Sequence, residues 1–152
     1  MPKWMIFITL IFLSGCAGIS EFLGTSGADD MAMSGDADVT FVRAVNTGDN
    51  TWTFHVTVQH PDTGWEDYAN GWDVVLPDGT PIIPNSGDEF TRVLLHPHTP
   101  EPFTRSQSNI VIPDDVTTVI VRAHDIVDGW GGQEITVDLT QSGGDGYTIE
   151  SN

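Results

Sequence analysis

The sequence predicts an all-β fold, an antiparallel sandwich or barrel of seven to eight short strands that follows an export segment and a flexible tether. Three observations carry this. From Val39 onward, short runs of β-branched and aromatic residues recur. Clusters of Gly, Pro, Asn and Asp separate them as turn signals. After the apolar amino-terminal run, no window of ten or more residues shows a helical period.

The elements follow in order. Lys3 gives a short positive start, and Trp4 to Leu13 is apolar apart from Thr9. Ten residues are too few for a helix to cross a hydrocarbon core, which takes about 20. The run has the proportions of a signal peptide. It ends at the one cysteine of the chain, in Leu13-Ser14-Gly15-Cys16. This resembles the lipobox of bacterial lipoproteins: Leu, two small residues, then Cys. The resemblance covers residues 1–16 and implies cleavage before Cys16, diacylglycerol on its sulfur and acylation (palmitate, for example) of the new amino terminus. Ala17 in place of Asp then implies, for a Gram-negative cell, sorting to the outer membrane, facing the periplasm.

Residues 16–38 hold the cysteine and an acidic spacer rich in Gly, Ala, Ser and Asp, with five acids and no base. So little apolar mass cannot offset the entropy of ordering, and the segment reads as a tether. Residues 39–152 form the body. Val39 to Val45 is its first strand. Thr51 to Gln59 alternates, with Trp52, Phe54, Val56 and Val58 on one face and Thr53, His55, Thr57 and Gln59 on the other, a half-buried strand by its period of two. Trp72 to Leu76, Phe90 to His96, Ile110 to Ile112, Thr117 to Asp125, Glu134 to Leu139 and Tyr147 to Ile149 complete the set.

The stretch from Ile112 to Asp125, a Gly-rich loop, and Glu134 to Leu139 resemble the last hairpin of an immunoglobulin-like or fibronectin-III-like domain. Trp72, opening the third strand, fits the core Trp of that architecture. Two departures stand out: there is no inter-sheet cysteine pair, and no Tyr precedes Val119 to make a tyrosine corner. Such folds host many functions, so the resemblance implies an architecture only.

Charge excludes one class of partner. Twenty-two acids oppose five bases, a net charge of −17. A surface this acidic repels phosphate backbones, so no nucleic acid is expected. One cysteine makes neither an internal disulfide nor a Cys-rich zinc site. The body beyond residue 38 carries 17 acids, four Arg and no Lys. That composition is similar to proteins from saline settings.

Catalytic signatures are lacking: there is no Gly-x-Ser-x-Gly elbow, no His-Glu-x-x-His, no Walker loop and no dinucleotide fingerprint. The expected function is therefore not enzymatic. The body is expected to bind an envelope protein or polysaccharide, with the lipid on Cys16 as its link to the membrane. Trp65, Tyr68 and Trp130 stand in or beside glycine-containing loops, where aromatic rings could grip such a partner.

The alternative is metal. In His96-Pro97-His98, alternate residues of an extended segment project to one side, so two imidazoles could chelate copper or zinc. Asp125 and Asp128, in a loop closed by Gly129, Gly131 and Gly132, supply carboxylates of the kind calcium takes. His55 and His124 fall on outward faces of strands expected in opposite sheets, too far apart to share an ion. Arg122, mid-strand, calls for a carboxylate partner.

Overall fold

The computed structural model describes residues 35–152; the segment read as a signal peptide, Cys16 and most of the segment read as a tether lie outside the described residues. Among the described residues there is no helix. Ten strands run in the order β1 (Asp38–Gly48), β2 (Thr51–Gln59), β3 (Ala69–Val75), β4 (Arg92–Val93), β5 (Phe103–Val111), β6 (Thr118–Asp125), β7 (Gly129–Trp130), β8 (Ile135–Asp138), β9 (Gly143–Gly144) and β10 (Tyr147–Ser151). Seven to eight were expected; three of the ten (β4, β7 and β9) are only two residues long.

They build two sheets. One has the order β5-β2-β1-β10-β9; the other runs β4-β3-β6-β7, with β8 also paired to β6. The inward faces meet in one core. Trp72 is fully buried there, with Phe54, Ile110, Val56, Val58, Val119 and Val121 around it. The period of two in β2 and β6 therefore means what it predicted: one apolar face against the opposite sheet, one polar face outward.

Pairing is antiparallel with one correction. β10 runs parallel to β1, Val42 opposite Tyr147 and Val45 opposite Glu150. After β8 the chain crosses back to the first sheet and covers the edge of β1, whose backbone groups would otherwise lack partners.

Two expected strands differ. Phe90 to His96 contributes only Arg92–Val93 to a sheet. Phe90 instead folds onto the outer face of β3, above Gly71, and is 4% exposed. A Cβ on Gly71 would come within 2.1 Å of the Phe90 ring, so only glycine admits that approach. The short strand at Ile110 proves to be the end of nine-residue β5. Its pairing with β2 slips between Trp52–Ile110 and Phe54–Gln107, and Asn109 adopts φ 62° in that bulge. The extra residue moves the inward set from Phe103 and Gln107 to Ile110 and Ile112.

The body also begins ahead of Val39. Ala37 is fully buried, β1 starts at Asp38, and Val39 N donates to Gln133 O at 2.8 Å. Residues 35–38, assigned to the tether from composition, pack against the 129–133 loop.

Candidate functional site

Inward alternation does not stop where the apolar residues stop. In β2 the series Trp52, Phe54, Val56, Val58 continues to His60; in β6 the series Val119, Val121, Ala123 continues to Asp125. Both polar residues are fully buried. β2 and β6 belong to different sheets, but their ends coincide. The 60–68 loop returns the chain from β2 into β3, whose first residue, Ala69, pairs with Asp125. This end of the sandwich is also where the chain enters β1, since Asp38 pairs with Gln59.

Asp62 organises the end. Its side chain is buried, and Oδ1 lies 2.6 Å from His60 Nδ1 and accepts from Ala69 N at 3.0 Å. Oδ2 accepts from His98 N at 2.6 Å, while Asp62 N donates to Glu101 Oε1 at 2.8 Å. One carboxylate thus ties the β2–β3 loop to the loop before β5. Asp125 Oδ1 accepts from Val127 N at 2.9 Å and Asp128 N at 2.6 Å, closing the turn after β6.

His60 Nε2, Asp67 Oδ1 and Asp125 Oδ2 are among the buried atoms here without a hydrogen-bond partner. His60 Nε2 and Asp67 Oδ1 stand 3.5 Å apart. His60, Asp67 and Asp125 each bring a ligand atom within 4.8 Å of the others, and Asp36, Asp125 and Asp128 form a second such group.

Asp125 and Asp128 lie together with Asp36, a residue read as tether. The sequence carries one signal for His60: it is a polar residue at the inward position that ends an apolar alternation. The His96 and His98 rings are neighbours tilted by 30°, with centroids 4.6 Å apart, and His98 lies flat on Phe103 at 3.9 Å. Among the described residues no third metal-capable side chain gathers with them. His96 Nδ1 donates to Pro97 O at 2.9 Å. His98 Nδ1 is buried, without a hydrogen-bond partner, 3.9 Å from Asp62 Oδ2. Burial, with Arg105 and then His96 adding positive charge, holds the His98 pKa below its usual value against the pull of Asp62. Both rings border a cleft of about 290 Å³ with Pro100, Phe103 and Arg105.

The three loop aromatics fall into two clusters. Trp65, 69% exposed, meets Tyr68 edge-on at 6.0 Å. Trp130, 38% exposed, packs on the outer face of the second sheet. There it covers the Arg122 guanidinium at 4.0 Å and touches His124 at 4.8 Å and Phe90 at 5.6 Å. Arg122 has its carboxylate partner, Asp73, at 3.4 Å. His55, on β2, is in the other sheet from His124, held between Arg43 at 2.9 Å and Ser106 at 2.6 Å.

Fold and site together define a two-sheet, all-β domain with one acid- and imidazole-rich end. The chain is similar to a protein of Halomicrobium mukohataei that is provisionally named a lipoprotein, with 39% identity over 109 residues, 71% of this chain and 49% of that protein. It thus spans about half the length of that relative. No protein-family model matches the chain. No solved structure matches it.

Proposed function

We propose that this chain is a lipid-anchored protein of the cell envelope, held by acyl groups on Cys16, that displays a non-enzymatic β-sandwich for binding a protein or polysaccharide. The observation that carries the anchor is Leu13-Ser14-Gly15-Cys16 closing an apolar run of signal-peptide length. Likeness to a protein named as a lipoprotein supports it. One acyl chain holds a protein only marginally, whereas diacylglycerol plus an amide-linked chain anchors it stably.

An immunoglobulin- or fibronectin-type sandwich is supported by the strand order, β5-β2-β1 facing β4-β3-β6 with β8 along the far edge of β6. Buried Trp72 on the third strand agrees with it. The binding surface is the loop pair Trp65 and Tyr68. A ring as large as Trp65, left in water on a loop, contributes nothing to the core and offers a large apolar contact at little conformational cost. Trp130, engaged by Arg122 and Phe90, serves the fold first.

Two experiments test this. Cells grown in labelled palmitate should yield labelled chain, with the label lost and the protein released from membranes in Cys16→Ala. Trp65→Ala with Tyr68→Ala should abolish retention of partners from an envelope extract while leaving the urea midpoint unchanged. Retention equal to wild type would remove the aromatic pair from the account.

A further inference from the structure

We propose that His60 Nε2, Asp67 Oδ1 and Asp125 Oδ2 form a binding site for a divalent first-row transition ion of the zinc type, clasping the two sheets at the end where the chain enters the sandwich. The argument starts from what these atoms can donate. Carboxylate oxygens only accept. His60 Nδ1 faces the Asp62 carboxylate at 2.6 Å, and in the neutral ring a proton placed there leaves Nε2 with a lone pair. His60, Asp67 and Asp125 each bring a ligand atom within 4.8 Å of the others, and each has a buried side-chain atom without a hydrogen-bond partner. Burying polar atoms without partners is unfavourable, and three lone pairs facing one another add repulsion. A cation among them satisfies all three at once.

The donor set selects the ion. Calcium and magnesium take oxygen ligands, whereas imidazole with carboxylates suits zinc and its neighbours. Two carboxylates neutralise a dication. Tetrahedral bonds of roughly 2.0–2.1 Å set neighbouring ligand atoms about 3.3 Å apart, and the His60–Asp67 separation is 3.5 Å. Asp62 is the outer carboxylate that orients a metal-bound imidazole, itself fixed by Ala69 N and His98 N. Three protein ligands leave a fourth position for water. The ion enters from the side of Asp67, whose side chain is 33% exposed while those of His60 and Asp62 are fully buried.

This inference is independent of the anchor and of the aromatic pair. The test uses the full chain in detergent, stripped with chelator and titrated with Zn²⁺, and in parallel with Ca²⁺, by calorimetry and thermal melting. The expected result is one Zn²⁺ per chain with a rise in melting temperature. Asp67→Asn should weaken it at least tenfold, and Asp62→Asn roughly 10–100-fold. Asp67 is the primary variant because its partial exposure spares the fold; His60→Gln is read only if its circular dichroism matches wild type. Absence of stoichiometric Zn²⁺ binding would overturn the proposal. So would Zn²⁺ binding that survives Asp67→Asn but is lost in His96→Ala/His98→Ala. Preferential Ca²⁺ binding lost in Asp128→Asn would also overturn it, moving the site to the all-carboxylate group.

Discussion

Substituting Gly71 by alanine tests how the outer face of the second sheet is roofed. The new methyl would lie 2.1 Å from Phe90 Cδ2 and 2.4 Å from Cγ, and the ring must leave. Phe90 is 4% exposed, and returning such a side chain to water costs about 1.5–3 kcal/mol. Its ring contacts with His124 at 5.0 Å and Trp130 at 5.6 Å add about 0.5–1.5 kcal/mol each. Replacing a strand glycine by alanine returns roughly 0.5–1 kcal/mol. The expected net loss is about 3 kcal/mol, read as a lower urea midpoint at unchanged slope. In a Phe90→Ala background the same substitution meets no ring and should cost nothing or stabilise slightly, a coupling of about 3 kcal/mol. Equal cost in both backgrounds would refute the close-approach reasoning.

Trp65→Ala should leave stability within about 0.5 kcal/mol of wild type, while Trp130→Ala, losing its cover over Arg122 and Phe90, should cost about 1–2 kcal/mol by the same denaturation. Asn109→Val forces a β-branched residue into φ 62° and should destabilise by roughly 1–2 kcal/mol, whereas Asn109→Gly should be neutral or better. His98 and His55 both have pKa values held below 6.5, chiefly by burial. The unfolded chain then binds their protons more readily, so stability is full above about pH 6.5 and falls as pH drops toward the folded values. A flatter urea midpoint against pH between 7.5 and 5.5 in His98→Gln would bear this out; an unchanged slope would count against it. With 17 acids and no Lys beyond residue 38, the melting temperature should rise with added salt as like charges are screened. A fall would argue that attractive pairs dominate.

How legible was this in the sequence? Where one face of a strand is buried and the other wet, period two reads directly, and β2 and β6 were plain for that reason. β5 was not. It is an edge strand whose solvent face and much of whose inner face are polar, and its bulge at Asn109 breaks the parity that a pattern search needs. Phe90 reads as strand by residue type, yet tertiary packing over Gly71 takes it out of the ladder. The parallel return of β10 to β1 is a long-range pairing with no local signature. At the site, Asp125 and Asp128 were visible as neighbours in one loop. The His60 group has no local signature, because Asp67 and Asp125 meet His60 only when the ends of β2, β3 and β6 are brought together. Asp36 was hidden in a stretch whose composition says spacer, while Ala37 beside it is core.

The acidic balance that excludes nucleic acid also concentrates carboxylates, Asp36, Asp62, Asp67, Asp125 and Asp128, at the end where the described chain enters β1. The proposed envelope role depends on the anchor at Cys16. Mass spectrometry of the chain extracted from membranes measures it directly. The account predicts an amino terminus at Cys16, residues 1–15 absent, and added mass equal to diacylglycerol with or without a further acyl chain. An intact Met1 terminus, or an unmodified thiol at Cys16, would contradict it.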